Sequence, residues 1–222
     1  MWCVSMGSRF TEIAKLPKEH YGVIYADPPW TYTAYSGPAV PARSADSHYD
    51  LMSAEELRTM PVGGLAAKNC ALFMWATMPL LPEAIELIDA WGFTYKTNAF
   101  TWVKTYPNGK PFLGMGYWTR ANPELCLLAT RGKPKRNSKG VEELLMSQVG
   151  RHSAKPEEVA HRIERLIDGP YLEMFARRPR RGWDVFGNQI ESDLVTEAEE
   201  LSHQEKEKRP VCGDSPVMEA AE

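Results

Sequence analysis

Short apolar runs alternate along most of the chain with stretches in which apolar residues have helical spacing. The apolar runs predict buried strands over residues 22–26, 70–76, 98–104, 124–130 and 171–175. The helical spacing predicts helices over residues 53–60, 82–91 and 155–167. This alternation indicates an α/β fold with a mainly parallel sheet, and no internal repeat interrupts it.

Residue types that are typical of helix ends support these boundaries. Ser53 and Glu56 have the spacing of a capping box at the start of the first helix. Gly92 directly follows the second helix and favours its termination. Pro156 falls in the first turn of the third helix, where a proline is tolerated. Each helix therefore has a defined start or stop in the sequence.

Length and composition are those of one globular domain. The chain has 222 residues, 43% of them hydrophobic, which is enough to bury a substantial core. Its start does not resemble a signal peptide, and no apolar run approaches the ~20 residues that a bilayer requires. We therefore expect a soluble cytoplasmic protein without a membrane partner. The four cysteines form no Cys-x-x-Cys pair, so the sequence predicts neither a metal site nor a disulfide framework.

Charge is distributed unevenly along the chain. Residues 191–222 contain ten acidic and three basic side chains, which gives a net charge of −7. Of the 29 acidic and 26 basic residues in the whole chain, this leaves 19 and 23 in residues 1–190, or +4. Basic residues cluster at 131–139 and 177–181. We expect a globular body over 1–190 and a flexible acidic tail over 191–222, with a body charge that is compatible with a polyanionic partner.

The first strand ends in the sequence Asp27-Pro28-Pro29-Trp30. Pro28 keeps Asp27 out of the helical region and Pro29 lacks a backbone donor, so the loop is expected to leave the strand along an extended path. The Asp27 carboxylate and the Pro28 carbonyl then form two adjacent acceptors, which match the two hydrogens of an exocyclic amine. Trp30 offers a face for a planar base. The alternative is an ordinary turn with Trp30 in the core, and the four residues together favour the functional interpretation.

The same four residues are identical to the signature of adenine-N6 methyltransferases related to the catalytic subunit of the messenger-RNA adenosine methyltransferase. This family has many bacterial and phage members. Further features resemble the family in the same order, namely HYDLMSAEEL, ALFMWAT, FTWVKT, the glycine-rich loop leading to Glu124, HSAKPEE, LEMFAR and FGNQ. The resemblance covers about residues 21–190, and the ordered set of motifs is far more specific than the signature alone.

The resemblance implies a Rossmann-like S-adenosylmethionine-dependent methyltransferase of permuted motif order, with helices on both faces of the sheet and residues 1–190 as its catalytic domain. The implied catalytic residues are Asp27, Pro28, Pro29 and Trp30. The implied cofactor-binding residues are Asp27, Lys155, Phe175, Arg177, Asn188 and Gln189. Tyr49 matches an aromatic residue of a loop that closes over the site. No metal is implied.

Several of these positions also have ordinary structural interpretations. Lys155 flanks a helix start, Phe175 suits a core, and Arg177 suits a charged surface. The chain also departs from the family at Ala176, where glycine is common, and at Arg178, which is inserted before a proline. Both departures adjoin the implied cofactor contact of Arg177.

The chemistry of adenine then indicates the function. We expect methyl transfer to the N6 amino group of adenine in DNA, which requires the base to leave the helical stack. A glycine-rich loop over residues 105–120 is expected to meet the nucleic acid through Tyr117, Trp118 and Arg120. DNA is preferred because the compact chain resembles stand-alone prokaryotic or phage enzymes. The alternatives are methylation of adenosine in RNA and a non-catalytic relative that binds nucleic acid, and the sequence does not indicate an oligomeric state.

Overall fold

A computed structural model describes residues 13–30, 51–116, 118–150 and 154–187. Within these ranges the strands are β1 (Tyr21–Ala26), β2 (Ala66–Ala76), β3 (Thr94–Thr105), β4 (Glu124–Arg131), β5 (Leu144–Gln148), β6 (Tyr171–Met174) and β7 (Trp183–Phe186). The α-helices are α1 (Ala54–Thr59), α2 (Leu81–Ala90) and α3 (Glu157–Leu166), and short 3-10 helices span Val62–Gly64 and Met78–Leu80. In the part of the chain that is described, none of the helices combines the length and apolar character needed to cross a membrane.

All seven of these strands join one sheet in the order β5-β3-β4-β2-β1-β6-β7. Neighbouring strands run parallel except at β4, which is antiparallel to both β2 and β3. The predicted α/β fold with a mainly parallel sheet is confirmed. The reversal of β4 places its first residue, Glu124, at the edge where β1 and β2 end, because Leu125 pairs with Ala76.

Helices cover both faces of the sheet, as predicted. On one face Leu57 of α1 and Leu87 of α2 pack in the same core cluster as Ile24 and Leu72. On the other face Val159 and Ile163 of α3 pack with Val23, Phe73 and other buried residues of the central strands. Strands that are buried on both faces need apolar residues at every position. This explains why β1 and the second half of β2 appear in the sequence as continuous apolar runs.

The helix starts and stops agree with the sequence signals, with one adjustment. The Ser53 hydroxyl accepts from the Glu56 N–H, and the Glu56 carboxylate accepts from the Ser53 N–H, so the capping box is confirmed. Gly92 follows α2 with a φ of 78°. Pro156 is the N-cap of α3 rather than a first-turn residue, because its ψ of 131° is extended. The helix therefore begins two residues later than predicted and leaves Lys155 outside it.

Two strands, β5 and β7, have no counterpart among the predicted elements. Both are short, and they are the two outermost strands of the sheet. In β5, Leu144 and Met146 are exposed while Leu145 is buried. An edge strand that is covered on one face has no continuous apolar run, so its sequence pattern is weak.

Replacing a buried leucine in the central sheet tests where the core lies. Leu72 in β2 is 0% exposed, whereas Leu113 is 57% exposed. Leu72→Ala should lower the free energy of unfolding by about 2–5 kcal/mol, because it removes buried contacts and leaves a cavity. Leu113→Ala should change it by less than about 0.5 kcal/mol. Urea unfolding of both variants measures this, and equal losses would contradict the core assignment.

Candidate active site

Residues that are distant in sequence meet where the carboxyl ends of β1, β2 and β6 lie side by side. We call this end of the sheet the Asp27 edge. Asp27 follows β1, and Arg177 lies three residues beyond β6. Lys155 lies just before α3, and Glu124 opens the reversed strand β4. In α/β proteins with parallel strands, ligands bind beyond the carboxyl ends of the strands. This edge is therefore the candidate active site.

Opposite charges alternate across this edge. Lys155 Nζ lies 2.8 Å from Asp27 Oδ2 and 3.3 Å from Glu124 Oε2. Lys104, at the end of β3, pairs with the other oxygen of Glu124. Arg177 Nη2 lies 3.9 Å from Asp27 Oδ2. We call these five residues the charged row, and within it each carboxylate contacts two cations.

Electrostatic coupling keeps Lys155 and Glu124 ionised. Burial lowers the pKa of Lys155, but the carboxylates of Asp27 and Glu124 more than offset this and hold the pKa above its usual value. Burial raises the pKa of Glu124, but Lys155 and Lys104 more than offset this and hold it below its usual value. At neutral pH Lys155 is therefore protonated and Glu124 is deprotonated.

Aromatic rings form a floor beneath the two lysines. Lys155 Nζ lies 5.4 Å from the centre of the Trp75 ring, and Lys104 Nζ lies 5.2 Å from that of Trp102. The two tryptophan rings meet edge to face at 6.3 Å, and Trp75 Nε1 donates to the Tyr25 hydroxyl at 2.7 Å. Ring faces attract cations, and packed rings are rigid. The floor therefore helps to fix where the lysine ammonium groups lie.

The Asp27 to Trp30 loop is held by its own hydrogen bonds. The Asp27 side chain is 26% exposed, and both of its cation contacts are made by Oδ2. Pro28 is buried, and its carbonyl accepts from the Trp30 N–H at 2.9 Å. Trp30 packs partly against the core, and its Nε1 donates to the Trp75 carbonyl at 3.4 Å. The Asp27 carboxylate is thus the more accessible of the two predicted acceptors.

The segment after β6 starts with an unusual backbone conformation. Phe175 has a φ of 63°, which is rare for a bulky residue. Its ring packs against the core, 6.5 Å from the ring of Phe186. The Ala176 N–H donates to the Phe186 carbonyl at 2.9 Å. This turn directs Arg177 toward Asp27, so strain at Phe175 lies beside the candidate site.

Arg178, the arginine inserted relative to the family, and Arg180 anchor the segment after β6 to α3. Arg178 pairs with Glu157, and Arg180 Nη1 also contacts Glu157, at 2.6 Å. Arg180 Nε donates to Glu173 Oε2 at 2.9 Å. Burial raises the pKa of Glu173 although Arg180 lowers it in part. Two of the arginines in the 177–181 cluster are therefore engaged with carboxylates of the protein.

The structure brings together some of the predicted site residues and adds others. Asp27, Lys155 and Arg177 are in contact as described, and Phe175 adjoins them along the chain. Trp118 and Arg120 lie in the segment between β3 and β4. The residues that lie outside the described ranges are Tyr49, Tyr117, Asn188 and Gln189. The additional residues are Lys104, Glu124, Trp75 and Trp102. They lie near strand ends, within or beside segments that resemble the family, but nothing in the sequence marks them individually as site residues.

A cavity lies at the opposite edge of the sheet. It has a volume of about 210 Å³, and its lining residues include Gly22, Asn69, Lys133, Lys135 and Asp168. The basic segment 131–139 begins there, because the reversed strand β4 carries the chain away from Asp27. The charged row and the Asp27 to Trp30 loop lie at the Asp27 edge, so we assign the active site there rather than to this cavity.

Known proteins resemble the chain over most of its length. The MT-A70 family model matches residues 21–189. The chain is 33% identical over 198 residues to the type II methyltransferase M.MunI of Mycoplasma sp, and the alignment covers 82% of each protein. It is 28% identical over 175 residues to an Arabidopsis thaliana N(6)-adenosine-methyltransferase MT-A70-like protein, covering 77% of the chain and 24% of that protein.

A human relative extends the comparison. The chain is 26% identical over 189 residues to the human N(6)-adenosine-methyltransferase catalytic subunit METTL3. The alignment covers 82% of the chain and 30% of METTL3, so the chain matches less than a third of this relative and of the Arabidopsis one. The resemblance seen in the sequence motifs is confirmed, and the chain belongs to the MT-A70 family.

Proposed function

We propose that the chain transfers a methyl group from S-adenosylmethionine to the N6 amino group of adenine in DNA. The observation that carries this proposal is the Asp27 carboxylate, which is partly exposed directly beyond β1 and held by two cations. DNA is preferred over RNA because the type II methyltransferase M.MunI matches the chain over most of both lengths. The N(6)-adenosine-methyltransferase relatives are far longer than this chain.

The donor set at the site is compatible with the cofactor. Lys155 and Arg177 are neighbouring cations that can bind the carboxylate of S-adenosylmethionine, and Phe175 adds an apolar surface. Asn188 and Gln189 remain candidates for the ribose hydroxyls. When it is bound, S-adenosylmethionine supplies an electrophilic methyl group. The chain must therefore orient the target amine and stabilise the charge that develops on it.

Asp27 is suited to that task. The lone pair of the adenine amino nitrogen is delocalised into the ring, which makes the nitrogen a poor nucleophile. Hydrogen bonds from its two N–H groups to Asp27 and to the Pro28 carbonyl favour a more localised lone pair. The negative charge of Asp27 then stabilises the positive charge that forms on the nitrogen. Because Lys155 and Arg177 contact Oδ2, the amine can approach the Oδ1 side.

Glu124 and Lys104 support this arrangement indirectly. Glu124 also contacts Lys155, and Lys104 pairs with the second oxygen of Glu124. Lys155 is thus held between two carboxylates and remains protonated. We infer that this fixes the orientation of the Asp27 carboxylate before the substrate binds.

A nucleoside assay tests the reaction itself. The purified chain is incubated with labelled S-adenosylmethionine and unmodified DNA or RNA, and each polymer is then digested to nucleosides. We expect label on N6-methyldeoxyadenosine from DNA. Label on N6-methyladenosine from RNA alone would favour the alternative substrate. Label on cytosine, or on neither polymer, would contradict adenine methylation.

Replacement of Asp27 tests its role. Asp27→Ala should lower kcat by at least about 100-fold, because the charge that stabilises the reacting nitrogen is lost. Cofactor binding, measured by calorimetry, should weaken far less than kcat falls, because Lys155, Phe175 and Arg177 remain. The matched control is Asp89→Ala, which removes an exposed aspartate of α2 and should leave kcat unchanged. Wild-type turnover in Asp27→Ala would exclude the proposed role.

The pH dependence of stability tests the charged row. The folded pKa of Glu124 lies below its ordinary value of 4.5, so its stabilisation is present above that pH and is lost as the pH falls through the folded pKa. Glu124→Gln should cost about 1.5–3 kcal/mol at pH 7 and should flatten the fall in stability below about pH 5.

Urea unfolding at a series of pH values measures this effect. The matched control is Glu86→Gln, because the Glu86 side chain is 64% exposed and pairs with Arg58 at the surface. Its effect should stay within about 0.5 kcal/mol at every pH. A Glu124→Gln variant whose stability depends on pH as steeply as that of the wild type would show that the row does not stabilise the fold.

A further inference from the structure

The segment between β3 and β4, residues 106–123, is braced at its base by one asparagine. Asn122 Nδ2 donates to the carbonyls of Lys104 at 2.9 Å and Phe112 at 2.6 Å, and Asn122 Oδ1 accepts from the Lys104 N–H at 2.9 Å. The Tyr106 and Phe112 rings pack together 5.2 Å apart. These contacts tie the two sides of the segment to each other and to the end of β3.

The outer part of this segment is braced by an arginine. Arg120 Nε donates to the Gly114 carbonyl at 2.7 Å, and its Nη2 donates to the Leu113 carbonyl at 2.9 Å. The Gly114 N–H donates to the Ala121 carbonyl at 2.8 Å. A Cβ atom at Gly116 would lie 2.0 Å from the Thr119 carbonyl oxygen, so only glycine permits this close approach. Arg120 therefore stabilises the backbone conformation at the tip of the segment. A contact of this side chain with nucleic acid stays a prediction.

Large apolar side chains lie at this tip without cover from the described residues. Trp118 is 100% exposed and Met115 is 91% exposed. Exposure of a whole tryptophan on a braced backbone is unusual for a soluble protein, and exposed apolar groups of this kind mark a surface that meets a partner. A fixed backbone also lowers the entropy lost on binding.

The base of the segment belongs to the candidate active site. It leaves β3 next to Lys104 and enters β4 at Glu124, and both residues are members of the charged row. Glu124 contacts Lys155, which contacts Asp27. The base of the segment is therefore linked by contacts to Asp27, the residue to which a nucleic acid would deliver its base.

We propose that Met115 and Trp118 form a wedge that enters duplex DNA beside the target base pair and stacks in the space that the extruded adenine leaves. This inference rests on the proposed function and specifies its substrate as double-stranded DNA. Extruding a base costs stacking and pairing energy. Apolar side chains inserted at a base step and aromatic stacking both offset such a cost. A protein surface is the other kind of partner, and the position beside the charged row favours DNA.

Mismatch rescue tests the wedge. A methylated site is first identified on DNA treated with the wild-type chain, and three substrates are then prepared: the matched duplex, the same duplex with a mismatch opposite the target adenine, and the single strand. Trp118→Ala should lower kcat/KM on the matched duplex by about tenfold or more, because stacking at the vacated position is lost. On the mismatched duplex and the single strand the loss should be below about threefold, because little pairing opposes extrusion there.

Matched variants separate stacking from general damage. Trp118→Phe should retain most activity on the matched duplex, and Met115→Ala should show the same selective loss as Trp118→Ala. Met146→Ala is the control for Met115→Ala, because Met146 is also exposed, at 56%, but lies in β5. It should leave all three rates unchanged.

Other outcomes would overturn the wedge. Equal losses on all three substrates, unchanged rates, or a wild-type chain that methylates only single strands would each exclude it while methyl transfer stands. A Trp118→Ala variant that sediments with a lower oligomeric mass than the wild-type chain would identify the tip as an interface between proteins instead. A wild-type chain that labels no DNA contradicts the proposed function itself, and the first step of the assay distinguishes that failure from failure of the wedge.

Discussion

The contact of Lys155 with Asp27 and Glu124 is the interaction on which the candidate site depends. An ammonium group that is largely buried, as that of Lys155 is at 14% side-chain exposure, is unfavourable unless it is compensated. Here two carboxylates contact it and the Trp75 ring lies beneath it. Removing either carboxylate would leave charge poorly compensated. The arrangement therefore requires the ends of β1 and β2, the start of β4 and the segment just before α3 to meet within a few ångströms.

The direction of β4 makes this meeting possible. A parallel β4 would carry Glu124 to the opposite edge of the sheet, where its charge could not reach Lys155. Apolar patterning reports whether a strand is buried but not in which direction it runs. The sequence therefore predicted the strand correctly and could not supply the reason why Glu124 and Lys104 belong to the site. Their partners are distant in sequence and adjacent only in the folded chain.

Local sequence signals were sufficient for structural features that depend only on neighbouring residues. The capping box at Ser53 and the stop at Gly92 depend on neighbours within a turn, and both were predicted. The motif of Asp27 to Trp30 and the ordered segments after it were sufficient for the family. The clusters of basic residues were less informative, because a cluster in the sequence does not show at which end of the sheet its side chains lie. The basic residues at 131–139 begin at the edge opposite Asp27, and Arg178 and Arg180 bind Glu157.

The charged row also connects Asp27 to the 106–123 segment, which is proposed to bind the substrate. Lys104 and Glu124 are at once the base of the 106–123 segment and the support of Lys155. A force applied at the tip by a bound duplex would be transmitted to these two residues, because Asn122 joins the segment to the Lys104 backbone on both its N–H and C=O sides. A flexible linker at this position would let the residues at the tip move independently of Asp27. The braced segment instead connects the proposed wedge and the Asp27 carboxylate to the same residues, so a duplex that binds Trp118 in the proposed way would have a defined position relative to Asp27.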